Sequence, residues 1–155
     1  MQSHDDAKTV LRFDRPLVIA GGGEVDRELL VNLAGRGMAV VAADGGANEC
    51  RAAGLVPDAI VGDLDSVEDP EGWAAETRVM RISEQLTTDF EKSLYSTSAP
   101  VTIAIGMTGK RFDHTLAALS AVMAYAPGRR IILVDEEDMA LAVTGSFAFE
   151  AEAGQ

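Results

Sequence analysis

Short runs in which every position is apolar recur along the chain, and several end on glycine or aspartate. Leu17-Val18-Ile19-Ala20 runs into Gly21-Gly22-Gly23, Ala39 to Ala43 into Asp44, and Ala59-Ile60-Val61 into Gly62-Asp63. Arg78 to Ile82, Val101 to Ile105 and Ile131 to Val134 are further strand candidates, the first two with polar positions among the apolar ones. Runs this short, with no polar alternation, are the mark of strands buried on both faces, as in a parallel sheet. The stretches between them carry helical spacing. Val25, Leu29, Leu30 and Leu33 recur in the segment from Glu24 to Arg36, which stops at Gly35 and Gly37. Ala47 to Ala53 reads as a short helix closed by Gly54, and Pro70 to Glu76 as a turn or short helix. Thr88-x-x-Glu91 has the spacing of a capping box and predicts a helix opening near Thr88. A further helix, with Leu116, Leu119 and Met123 on one face, ends before Pro127-Gly128.

Buried strands alternating with helices predict an α/β domain over 15–136: a Rossmann-like, doubly wound, mostly parallel sheet with helices on both faces. Residues 1–14, polar and mixed in charge, are expected to be a flexible leader. Met139 to Val143 and Phe147 to Glu150, separated by Thr144-Gly145-Ser146, resemble a β hairpin.

Composition narrows the partners. The 155 residues suit one domain, and a formal net charge of −12 argues against DNA, RNA or an anionic membrane surface, all of which need cations. Small phosphorylated ligands stay open, because a divalent metal reverses the local sign. Cys50 is the only cysteine, which excludes an intrachain disulfide and a cysteine-rich zinc site. No apolar run approaches the ~20 residues of a membrane span, so a cytoplasmic setting is expected.

Acidic residues stand at successive strand ends: Asp44 after the second, Asp63 and Asp65 after the third, and Asp89 in the helix turn after the fourth. In a parallel sheet these ends share one edge, where ligands bind. Carboxylates crowded there repel one another unless a cation lies between them, and oxygen-only ligation suits Mg²⁺ carried with a phosphorylated substrate. Taken singly, Asp-x-Asp is also a common turn, and Asp89 also suits a first helical turn. Gly22 and Gly23 after the first strand, and Gly45 and Gly46 after the second, allow backbone to approach phosphate, or simply turn the chain. Neither pair belongs to a dinucleotide fingerprint: position 26 is Asp where a third glycine would stand, and no Walker lysine motif occurs. Lys92 and Arg111 are candidate phosphate cations or ordinary surface charges, and His114 is a proton carrier or a structural helix-start residue.

Four segments in order resemble the thiamine pyrophosphokinase family: Ala43-Asp-Gly-Gly-Ala-Asn48, Pro57-Asp58 leading to Gly62-Asp-Leu-Asp-Ser66, Thr88-Asp-Phe-Glu-Lys92, and Gly109-Lys-Arg-Phe-Asp-His114. The family's paired glycine before the arginine is Gly109-Lys110 here, and its asparagine after the histidine is Ala118. The resemblance, over about 16 to 150, implies a Rossmann-like catalytic domain that transfers pyrophosphate from ATP to thiamine with Mg²⁺, giving thiamine diphosphate and AMP. It implies a homodimer and a β domain after the catalytic one, of which 137–155 would be a start that is cut short. It implies that Asp44, Asp63, Asp65 and Asp89 form the catalytic centre, with Mg²⁺ on Asp63, Asp65 and Asp89. Gly22, Gly23, Gly45, Gly46, Asn48, Gln85, Lys92 and Arg111 would then meet the nucleotide, and Asp113 and His114 the substrate side. Two rivals stay open: another Asp-x-Asp nucleotidyl- or glycosyltransferase, and a non-catalytic nucleotide-binding or dimerisation module.

Overall fold

The computed structural model describes residues 11–154, so most of the expected leader, residues 1–10, lies outside the described residues. The rest of that leader is not loose. Leu11–Arg12 form a short strand, β1, that pairs in parallel with Thr97–Ser98. Then follow β2 (Leu17–Ala20), α1 (Arg27–Gly35), β3 (Ala39–Ala43), α2 (Gly46–Ala52), β4 (Ala59–Gly62), α3 (Pro70–Glu76) and β5 (Arg78–Arg81). The second half runs α4 (Asp89–Ser96), β6 (Thr97–Ser98), β7 (Thr102–Ile105), α5 (Phe112–Tyr125), β8 (Ile131–Val134) and β9 (Met139–Ala140).

Seven strands form one sheet in the order β5-β4-β3-β2-β7-β8-β9, parallel except for β9. The chain starts in the middle, at β2, builds outward through β3, β4 and β5, and then returns to place β7 on the other side of β2. In-register pairs such as Ile19 with Val41 and Ala104 put the strand ends after β2, β3, β4 and β7 along one edge.

The all-apolar strands are explained by their two covered faces. Leu17, Ile19, Val41, Val61 and Ala104 pack with Phe90 and Leu94 of α4 and Ala118 and Val122 of α5. Val18, Ala20, Val40, Ile60 and Ile105 pack with Leu30 of α1, Cys50 of α2 and Trp73 of α3. Alternate side chains of each strand therefore serve different helices. The boundaries follow local chemistry: Asp26 caps α1 through Leu29 N at 2.9 Å, and the predicted capping box of Thr88 and Glu91 forms. Cys50 is buried, and burial pushes its thiol up to about 12, which fits a small apolar filler rather than a reactive group.

The large apolar residues of α5 do not meet the core: Ala118, Ala121 and Val122 are buried, while Phe112, Leu116 and Met123 are 80%, 52% and 71% exposed. Small residues let this helix lie close to the sheet, which turns its large side chains outward. One expectation fails: the C-terminal hairpin is absent among the described residues. Only Met139–Ala140 forms a strand, antiparallel to β8, and Phe147 and Phe149 touch each other at 5.7 Å on the surface.

One cation ties the return crossover together. Arg129 donates to the carbonyls of Leu94 and Thr97 at 2.6 and 2.7 Å, and to the hydroxyls of Thr97 and Thr102 at 2.9 and 2.8 Å. It so fastens the C-terminal end of α4 to the start of β7. Arg129→Met removes these four hydrogen bonds and should cost about 2–4 kcal/mol. Urea unfolding of the two proteins measures it; an unchanged midpoint would show that the fastening is dispensable.

Candidate functional site

The acidic residues converge as the parallel sheet requires. Asp44 follows β3, with its amide on the carbonyl of Val61 at 2.9 Å, and the chain leaves β4 through Gly62 into Asp63. Asp44, Asp63 and Asp65 each offer one carboxylate oxygen, and these oxygens lie within 4.8 Å of one another. Asp89 opens α4 beside them rather than among them. A Cβ on Gly62, whose φ is +152°, would come to 3.0 Å of both Asp44 Cβ and Asp89 Oδ1. Gly62 is the hydrogen-sized gap that lets the two carboxylates flank one strand end. The backbone is also forced here: Asp44 has φ +47° and Leu64, between the two loop aspartates, φ +70°. Left-handed backbone at non-glycine residues costs of order 1–3 kcal/mol each and gathers at sites that need it.

Burial, hydrogen bonds and neighbouring charge set the protonation. Asp44 is 5% exposed; its Oδ2 accepts a long hydrogen bond from Ser66 N at 3.3 Å, and its Oδ1 is buried with no partner. Burial first, then the charge of Asp89 and the nearness of Asp65 and Asp63, push its carboxyl up to about 7. Asp89 is also raised, by burial, against the pull of Lys92, whose Nζ lies 3.5 Å from Asp89 Oδ1. Asp63 goes the other way. The amide of Asp65 and then the side chain of Gln85, both donating to it at 3.2 Å, hold it below the usual carboxylate range. Three carboxylates around a buried oxygen without a donor fit a hard divalent cation with oxygen ligands.

These residues face an open pocket of about 530 Å³ at the edge formed by the ends of β2, β3, β4 and β7. Asp44, Asp63 and Asp89 line it together with Gly22, Gly23, Gly45, Asn48 and Gln85. Lys92, Arg111 and His114 line it as well. Lys92 is a buried cation at 2% exposure, not a surface one. Arg111 forms a two-pronged pair with Asp113, at 3.0 and 2.6 Å, which holds the Asp113 carboxyl low.

Three residues expected at the site stand outside the pocket wall: Asp65, Gly46 and Asp113. Asp65 belongs to the acidic trio, whereas Gly46 serves packing, since a Cβ there would meet the carbonyl of Ala20 at 1.8 Å. Asn48 lines the pocket but has both ends of its amide engaged, donating to Ser66 O and accepting from Glu68 N, each at 2.8 Å. It clamps the loop that follows the aspartates. Two features escaped the sequence reading. Glu84 accepts from the amides of Leu86 and Thr87 and from the hydroxyls of Thr87 and Tyr95, which shapes the loop before α4. Those bonds, the Thr87 hydroxyl foremost, hold its carboxyl down to about 2. Lys110, noted in the sequence only as a replaced glycine, also lines the pocket. A cation at the tip of a glycine loop was the available signal.

The raised Asp44 gives a pH dependence of known sign. Its native value of about 7 exceeds the ordinary 3.8, so the folded protein keeps a proton that the unfolded chain releases between those values. The resulting stability is full below the ordinary value and lost as pH rises through the native one. In chelator, the step from pH 5.5 to 8 should therefore lower stability by about 2 kcal/mol through this residue. Asp44→Asn should remove that step, and Mg²⁺ should offset it in the wild type at pH 8. Melts at the two pH values check this; parallel slopes for wild type and variant would refute it.

Comparison with known proteins supplies the relationship. No curated protein sequence matches the chain. Among solved structures it is similar to the thiamin pyrophosphokinase from Geobacillus thermodenitrificans, with 26% identity and a TM-score of 0.64, over 77% of this chain and 59% of that one. The enzyme from Candida albicans superposes with a TM-score of 0.69 at 17% identity, over 90% and 65%, and that from Bacillus subtilis with 0.63 at 22%, over 79% and 61%. These two show the fold alone: α/β, with a mostly parallel sheet. The chain spans 59% to 65% of the length of these three. The family model described as thiamin pyrophosphokinase, catalytic domain, matches residues 31–133, which is most of the chain and includes the acidic trio and Arg111. The chain belongs to that family.

Proposed function

We propose that this protein transfers the pyrophosphoryl group of ATP to the hydroxyl of thiamine, giving thiamine diphosphate and AMP, with Mg²⁺. The observation that carries the reading is the buried, unpartnered Asp44 Oδ1 set against Asp63 and Asp65 at the mouth of a pocket of about 530 Å³. The order of the strands supports a Rossmann-like, doubly wound nucleotide site, since the pocket opens where β7 returns beside β2.

Asp63 and Asp65 would hold Mg²⁺, which supplies neutralising charge to the phosphate oxygens. Asp44 completes the trio, and its place at the end of β3, on the pocket wall, suits it to take the proton of the attacking hydroxyl. Asp89 closes the acidic centre from α4 and fixes the ammonium of Lys92 at 3.5 Å, where it can meet a phosphate oxygen. Gln85 steadies Asp63, and the backbone at Gly22, Gly23 and Gly45 lies along the path of the nucleotide. Arg111, exposed and among the described residues paired with its neighbour Asp113 alone, exchanges that partner for phosphate, which frees Asp113 beside His114 on the substrate side. The hydroxyl attacks the β-phosphorus in line and AMP departs, a reaction that rests on positioning and charge neutralisation. Cytoplasm, where ATP and Mg²⁺ abound, is the compartment this reading takes.

The assay is chromatographic: AMP and thiamine diphosphate formed from Mg-ATP and thiamine. Asp65→Asn should lower turnover by at least ~10²-fold while the circular dichroism spectrum stays that of the wild type. Undiminished turnover in that variant would refute the metal centre. ATP binding without AMP release by the wild type would leave a nucleotide-binding module instead.

The same reading includes a homodimer, supported by the uncovered stripe of Phe112, Leu116, Leu119 and Met123 on α5. Sedimentation equilibrium should find dimers, and Leu116→Glu with Met123→Glu should give monomers. Dimers of unchanged strength in that variant would place the contact elsewhere.

A further inference from the structure

Three cations line the pocket, and they are not equivalent. Lys92 is paired with Asp89 and Arg111 with Asp113. Lys110 forms no ion pair among the described residues; its ammonium donates instead to the carbonyl of Gly22, at 2.9 Å. That bond joins two neighbouring loops of the pocket wall, because Gly22 follows β2 and Lys110 follows β7, the two strands between which the crevice opens. The two loops are otherwise joined through backbone, Gly23 N to Gly106 O at 2.7 Å and Glu24 N to Thr108 O at 3.0 Å. They are held in place without the lysine. An ammonium on a neutral carbonyl is a weak use of a full charge beside a cluster of carboxylates that already selects a cation and its phosphates. A phosphate oxygen makes the stronger, charge-assisted bond.

We propose that Lys110 is a phosphate-binding residue for the nucleoside triphosphate, which leaves the Gly22 carbonyl for a phosphate oxygen when the nucleotide enters. The assignment rests on the ATP reading given above and adds a contact on the side of the pocket opposite the acidic trio. It gives the triphosphate two separate grips: carboxylates acting through a cation at β3 and β4, and an ammonium acting directly at β2 and β7. A flexible four-carbon stem suits the exchange, since the ammonium moves by rotation of its own side chain and needs no change in the loop.

Titration calorimetry of the full chain with Mg-ATP and with adenosine tests the proposal. Lys110→Met should weaken Mg-ATP by about 10-fold, as expected for one charge-assisted contact, and leave adenosine affinity unchanged. Lys110→Arg should restore most of the Mg-ATP affinity. The loss should also shrink with added salt, as a direct charge contact requires. Equal weakening of ATP and adenosine, or a fall in melting temperature that Lys110→Arg does not rescue, would mark Lys110 as a loop fastener and overturn the proposal. Undiminished Mg-ATP affinity in Lys110→Met overturns it while leaving the ATP reading intact. A wild-type chain that binds no Mg-ATP removes both.

Discussion

Like charges are brought together at the end of β3, with one of them, Asp44, out of water, and the surrounding structure is arranged to bear it. Asp44 cannot turn away: its strand is buried on both faces, its backbone is already in the left-handed region, and Gly62 leaves no room beyond a hydrogen. The neighbouring loops are held by side chains that bond to their backbone. Asn48 fixes the chain after Asp65, and Glu84 the chain before Asp89. Both loops are thereby set before any ligand arrives, which is what pre-organised electrostatics demands. The protonation pattern follows from burial first at Asp44 and from the donors on Asp63, with one carboxyl raised to about 7 and another below the usual range, a few ångströms apart.

Much of this was legible in the sequence because it rests on local patterns. Apolar runs ending in aspartate announced parallel strands with acids on one edge, and Thr88 with Glu91 announced the start of the helix that carries Asp89 and Lys92. What stayed hidden depends on who lies across the gap. Which face of α5 meets the sheet is one such case: close helix-to-sheet packing rewards alanine over leucine, and periodicity within one chain does not tell which of two apolar faces is covered. Gly46 resembled a phosphate loop glycine, yet the carbonyl of Ala20 is what requires it. The expected hairpin had suitable residues but no strand to template it beyond β9. Lys110 carried its information only in three dimensions, through a carbonyl 88 positions away.

The pocket is assembled from loops that are far apart in the chain but adjacent in the sheet. Family membership explains why the acidic loops recur in this order, since each follows its own strand and each strand has a fixed neighbour. The unusual lysine sits on the loop after β7, where a change of side chain alters the ligand without disturbing the carboxylates.

The rims of the sheet have a consequence of their own. β5 is bracketed by the exposed Arg78 and Arg81, and β9 is only two residues long and follows Glu136, Glu137 and Asp138. An incoming strand would meet cations at one rim and a stub beside carboxylates at the other. Charged and shortened edges of this kind resist strand-on-strand growth. The seven-stranded sheet is thus a closed unit, and a rise in concentration should drive it towards association through helices rather than towards fibrils.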